Sequence, residues 1–188
     1  MPLSQIDAHN GGQTALVVID MQKGITGLPV AHPVAGVTAH VVALLAAFRA
    51  KALPVVLVNV AGAAPGRNDQ PKMDWTPPAD WAELIPELDA QSSDHRVTKT
   101  TWGAFEHTDL DAWLKAQGVT QVVMCGIATS IGVESTARVA YERGYNVVLV
   151  PDAMTDLDRE MHDHAVAKIF PRIGEIATTT DVVDRLGA

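Results

Sequence analysis

One junction restricts the fold of this chain more than any other stretch. Four apolar residues, Val122–Val123–Met124–Cys125, give way to Gly126–Ile127–Ala128–Thr129–Ser130–Ile131–Gly132 and then to a helical pattern. Val133, Thr136, Ala137, Ala140 and Tyr141 recur at the i, i+3, i+4, i+7, i+8 spacing of a helix face. Gly144 stands where a helix ends on a residue free to turn left-handed. The pattern predicts a buried strand, a tight turn and a helix in succession. In a parallel α/β sheet that junction lies at the carboxyl edge, where ligands bind. Unpaired N–H groups at the helix start can there hold developing negative charge.

The rest of the chain repeats the alternation. Residues 1–12 are polar, with Gly11–Gly12, and are expected to form a loose arm. Thr14–Ile19 is a β-type run ending in Asp20, and a loop with Gly24, Gly27 and Pro29 follows. Val34, Val37, Val41, Leu44, Leu45 and Phe48 then recur at helical spacing. Pro54 opens a second strand that runs to Val60. Residues 61–94, rich in Pro and Gly, exceed the usual connection length and predict a lid or part of a pocket wall. Arg96–Thr98 is a short third strand leading to Lys99. Thr108 is placed to cap a helix with Leu110, Trp113 and Leu114, closed by Gly118. Gln121–Cys125 and Asn146–Val150 are the fourth and fifth strands. A helix near 158–170, a short strand near 175–177 and a helix from about Thr180 complete the chain. Strands each followed by a helical crossover predict one α/β domain over residues 1–188. Its expected form is three-layer α/β/α and Rossmann-like, with a mainly parallel sheet of five to six strands.

Composition narrows the partners. The 188-residue chain carries a formal net charge of −8, which argues against nucleic acid or an anionic membrane, since phosphate binding needs a basic footprint. No apolar run approaches the ~18 residues of a membrane span. Met1–Gln5 lacks the basic start of a signal peptide. A single cysteine excludes an internal disulfide and fits a reducing cytoplasm. The expected partner is a small molecule.

Candidate chemistry gathers at strand ends: Asp20 after the first, Lys99 after the third, and residues 126–132 after the fourth. Alone, Asp20 reads equally as a turn or cap aspartate, and Lys99 as a surface lysine. Three segments change that: Asp20–Met21–Gln22, Val97-Thr98-Lys99-Thr100-Thr101-Trp102-Gly103-Ala104-Phe105, and the run from Gly126 through Asp156. Together they resemble the isochorismatase-like hydrolases, the cysteine hydrolase superfamily, over roughly Thr14 to Leu186. The resemblance implies a catalytic Asp20 and Lys99 paired in a pocket, a three-layer fold, a cis Ile127–Ala128 peptide and assembly as a homo-oligomer. It also implies substrate contacts from Gln22, Ile25, Trp102, Phe105, Ile127, Ala128 and Thr129. Most members of that family carry a nucleophilic cysteine where this chain has Gly132; the true isochorismatases, which cleave a vinyl ether, carry glycine.

Gly132 has no side chain with which to attack, and Cys125 reads as a small buried hydrophobe. Thr129 or Ser130 is expected to cap the following helix. A vinyl ether needs only an acid and water, which makes Asp20 the expected general acid/base. An adjacent lysine favours the ionised carboxylate, so burial or substrate must act against it, or Lys99 must instead bind a substrate carboxylate. Ala128, Ser130 and Val60 depart from the isochorismatase pattern, and the turn is worded more like the cysteine branch. Arg67 is either a carboxylate clamp or a solvated loop charge. His162-Asp163-His164 reads as a solvated helix surface rather than a metal site, because residues two apart face different ways. Trp75, Trp81 and Trp113 read as packing residues. No metal and no cofactor is expected. Three functions remain open: a hydrolase of a small, anionic metabolite, a non-covalent hydrolase of an amide-type metabolite, and an inactive metabolite-binding relative.

Overall fold

The computed structural model describes residues 5–7, 13–69 and 76–187. Its strands are β1 (Gln13–Ile19), β2 (Val55–Val60), β3 (His95–Lys99), β4 (Val119–Ile127), β5 (Asn146–Thr155) and β6 (Glu175–Ile176). They form one six-stranded sheet in the order β3-β2-β1-β4-β5-β6, with every pairing parallel. The helices are α1 (Lys23–Thr26), α2 (Val34–Ala50), α3 (Leu110–Ala116), α4 (Glu134–Glu142), α5 (Arg159–His164) and α6 (Thr179–Gly187).

Both sheet faces are covered, which is why β1, β2 and β4 read as nearly unbroken apolar runs. Leu16 and Val18 of β1, with Val123 and Cys125 of β4, pack against Val37, Val41, Leu44 and Phe48 of α2 and Val182 of α6. The alternate residues Val17, Ile19, Val122 and Met124 pack against Leu110 and Leu114 of α3 and Ala137 and Ala140 of α4. Period-2 alternation along each strand therefore builds two cores from one sheet.

Several boundaries differ from expectation. β5 continues past Val150 to Thr155, because Gly126 and Ile127 pair with Met154 and Thr155 beyond a register shift. Pro151, which has no N–H to donate, sits inside that irregularity. Tyr141 is 53% exposed rather than part of the buried face of α4. Eight residues on from Val133 it lies at the edge of the stripe, since each helical residue turns ~100°. Of the arm expected to be loose, Ile6 and Asp7 are buried: Ile6 joins the α2-side core, and Asp7 accepts hydrogen bonds from Thr120 and Asn146. The remainder of that arm, and Trp75, lie outside the described residues.

Candidate active site

The strand order reverses direction between β1 and β4, and the candidate site lies at the carboxyl ends of the strands around that point. Asp20 follows β1 with φ +50°, a left-handed conformation that aspartate tolerates better than most residues. Its N–H donates to Val58 O at 2.9 Å, tying it to β2. Lys99 closes β3 and is in register with Val60. Its ammonium reaches across the end of β2 to Asp20 Oδ2 at 2.8 Å and donates to Thr101 O at 3.2 Å. Both residues are buried, Asp20 at 5% and Lys99 at 2% exposure. Asp20 Oδ1 is buried with no hydrogen-bond partner among the described residues. Burial raises the Asp20 carboxyl from 3.8 to about 6, with the Lys99 ammonium pulling the other way. The competition foreseen between burial and the lysine is thus won by burial.

The turn from β4 approaches Asp20 from the other side. Gly126, in register with Ile19, has φ +115°, and a β-carbon there would collide with the Ile19 carbonyl. Only glycine lets the two strand ends come that close. The Ile127–Ala128 peptide is cis, as the family resemblance implies. A π-helical turn, Thr129–Val133, then leads into α4. Gly132 within it is buried, and a β-carbon there would stand 3.1 Å from Asp20 Oδ2 and 3.0 Å from Ile19 Cγ2.

Asp20, Lys99 and Gly132 open onto one cavity of about 190 Å³. Ile25, Trp102, Ile127 and Ala128 also line it, as do Val60 at the end of β2 and Gly62 and Ala63 from the long connection that follows. Three other expected contacts lie elsewhere. Gln22 is fully buried, and its amide is consumed by Val60 N (2.8 Å), Val60 O (3.1 Å) and Trp81 O (3.1 Å). It fastens the β2 end to the loop instead of facing the cavity. Phe105 packs in the α3–α4 core beside Tyr145, with Arg143 over its ring. Thr129 is fully buried behind the turn. It does not cap α4: its hydroxyl donates to Thr155 O (3.0 Å) and lies 2.8 Å from His162 Nδ1. Ser130 does not cap it either, since its hydroxyl has no partner among the described residues. Arg67 is exposed and away from the cavity lining.

Sequence reasoning missed several participants. Trp81, read as a packing residue, lines the cavity together with Leu28, Ile131 and Leu157. Trp113 does pack, stacked on His95 at 4.3 Å. His162, read as solvated, is buried at 7% exposure. Asp156 is fully buried; its carboxylate accepts Ser130 N at 2.6 Å and Leu157 N at 2.7 Å. For His162 the signal lay in helix geometry: α5 starts at an Asp158 cap, which turns its fourth residue inward while His164 stays out. Cys125 is buried in the α2-side core, and burial pushes its thiol well above the usual range. Among the described residues, no cluster of three or more His, Cys, Asp or Glu is placed to hold a metal ion, and no helix is long and apolar enough to cross a membrane.

A doubly covered parallel sheet with a buried carboxyl–ammonium pair at its switch point defines an α/β enzyme scaffold. Residues 14–181 match the isochorismatase domain, and the chain belongs to the isochorismatase family of hydrolases. It is 41% identical to the isochorismatase family protein YwoC of Bacillus subtilis (strain 168), over 93% of this chain and 94% of that protein. It is 38% identical to streptothricin hydrolase of Streptomyces noursei, over 89% of this chain and 60% of that protein. A solved isochorismatase family protein from Burkholderia thailandensis superimposes with a TM-score of 0.89 at 42% identity, covering 94% of this chain and 96% of that one.

Proposed function

We propose that this protein hydrolyses a small, largely apolar metabolite by direct attack of water, with Asp20 as the group that moves the proton. The observation that carries the reading is the state of the Asp20 carboxyl. Oδ2, held by Lys99 at 2.8 Å, is the oxygen beside the space that Gly132 leaves open, and Oδ1 is a buried acceptor with no partner among the described residues. A carboxyl at about 6 is well matched to proton transfer near neutrality. Its ionised form takes a proton from the attacking water and returns it to the leaving group. Covalent catalysis finds no support: glycine stands where the family resemblance places a cysteine, and Cys125 is sealed in the core with its thiol protonated. A relative named streptothricin hydrolase supports hydrolysis as the reaction class.

The lining bears on the substrate. Asp20 and Lys99 are its charged residues among those described, and they neutralise each other. Ile25, Val60, Trp81, Trp102, Ile127 and Ile131 supply apolar wall. Among the described lining residues no cation is left free for the anionic substrate expected from sequence. A second reading keeps Asp20 as a general acid that protonates a vinyl ether, and the raised carboxyl favours it, since a protonated fraction survives at neutral pH.

The test is turnover of isochorismate and of a panel of small neutral amides by wild type and Asp20→Asn, with a pH profile. The Asn variant is expected to lose at least ~100-fold. A rate that rises through about pH 6 marks the base, and one that falls there marks the acid. Turnover unchanged by Asp20→Asn, or abolished by a thiol reagent, sinks the proposal.

A further inference from the structure

We infer that His162 is a positioning residue: a neutral imidazole, protonated on Nδ1, that locks the Gly132-bearing turn through the Thr129 hydroxyl. Two polar groups meet at the Thr129 hydroxyl. Thr129 Oγ1 lies 3.0 Å from Thr155 O and 2.8 Å from His162 Nδ1. A carbonyl oxygen only accepts, so the single hydroxyl proton of Thr129 goes to Thr155 O. His162 must then donate from Nδ1 into the hydroxyl lone pair. In the opposite tautomer the hydroxyl proton would turn to Nδ1, and two bare oxygens would face each other 3.0 Å apart in a fully buried setting. The relay therefore runs from His162 Nδ1–H to Thr129 Oγ1–H to Thr155 O.

The surroundings keep the ring neutral. His32 meets it edge-on with ring centroids 4.6 Å apart, and burial and His32 together hold His162 below the usual imidazole range. Arg159 acts in the same sense, whereas Asp163 and Asp156 oppose it. His32 is itself fixed, its backbone N–H donating to Thr155 Oγ1 at 3.0 Å. Asp156 adds a second tie one residue along the turn, accepting Ser130 N, and its carbonyl accepts Ala31 N at 2.8 Å. Two successive turn residues are thus held from behind, Thr129 through its side chain and Ser130 through its backbone. Ile127, Ala128, Ile131 and Gly132 of the same turn form cavity wall. His162 itself does not line the cavity, so any effect on turnover passes through the turn.

The functional half of this inference rests on the proposed role of the cavity; the tautomer does not. Nitrogen-15 and carbon-13 spectra of histidine-labelled protein report it directly, with the His162 signals assigned by their loss in His162→Asn. The expected result is a neutral ring with Nδ1–H at pH about 6.5, the ordinary midpoint of the side chain. An Nε2–H tautomer, or a charged ring at that pH, overturns the assignment. For the positioning role, His162→Phe is expected to lower kcat about 100-fold, the cost of misplacing a reacting geometry by roughly 1 Å. His162→Asn, whose amide nitrogen occupies the Nδ1 position, is expected to restore most of it, and His162→Gln, which reaches the Nε2 position, is not. Rescue by Gln and not Asn, or a Phe variant with unchanged kcat while Asp20→Asn is inactive, overturns the role and leaves the acid–base proposal standing. An active Asp20→Asn overturns that proposal and leaves the spectra to decide the tautomer.

Discussion

A β-carbon placed on Gly132 would stand 3.1 Å from Asp20 Oδ2, so the empty side-chain position and the carboxyl occupy two sides of one narrow gap. The neighbours that bound this gap have little freedom. Ile19 is fully buried, and Asp20 is clamped by Lys99 at 2.8 Å.

Gly132→Ala tests how firmly the gap is set. A glycine-to-alanine change inside a helix normally gains about 1 kcal/mol. Here the added methyl presses on Ile19 and Asp20, and overpacking of a tight site costs about 1–3 kcal/mol. The expected outcome in urea unfolding is a midpoint no higher than wild type, together with a loss of turnover. A clear rise in midpoint would mean that the two neighbours yield.

Asp20→Asn has a signature in the pH dependence of stability. The folded carboxyl titrates at about 6, above its ordinary 3.8, so the folded protein holds this proton when the unfolded chain has released it. The contribution is complete below about pH 3.8 and is lost as pH rises through about 6. Relative to the Asn variant, wild type should lose on the order of 3 kcal/mol across that window. Parallel stability curves for the two proteins between those pH values would show that Asp20 is not raised.

Lys99→Met removes the ammonium that pulls the Asp20 carboxyl down. Burial then acts unopposed, and the Asp20 limb of the activity profile should move upward by at least ~1 pH unit. A limb that stays in place would show that the lysine has no electrostatic hold on Asp20. Loss of the limb's amplitude without movement would instead assign Lys99 to contact with substrate.

Cys125 should behave as packing. It is fully buried in the α2-side core, with its thiol held in the protonated form. Iodoacetamide is expected to label it only in denaturant. Cys125→Ala should cost about 1 kcal/mol of stability and leave turnover unchanged. Native-state labelling that stops activity would return a thiol to the mechanism.

Much of this architecture was legible from local pattern. The apolar runs of β1, β2 and β4 announced a sheet buried on both faces, and the Val37–Phe48 spacing drew α2 correctly. Asp20 and Lys99 were readable as a pair only through the family resemblance, because nothing local distinguishes a buried lysine from a surface one. The misreadings share a cause. Gln22, Phe105 and Thr129 sit within three residues of pocket residues in sequence, but their side chains are taken up by hydrogen bonds or core. His162 and Asp156 were passed over because their partners, Thr129 and Ser130, lie 33 and 26 residues away.

What the sequence determined by itself is the set of elements and the chemistry available at their ends. Periodicity is a short-range property, and it suffices for a strand–turn–helix unit with glycine at 126 and 132. The tertiary structure decided how those ends meet. Lys99 crosses the end of β2 to reach Asp20, β4 closes on β1 where Gly126 permits, and the resulting burial sets the carboxyl near neutrality. Desolvation and Coulomb forces depend on everything within several ångströms, whichever part of the chain supplies it, so no local stretch encodes them.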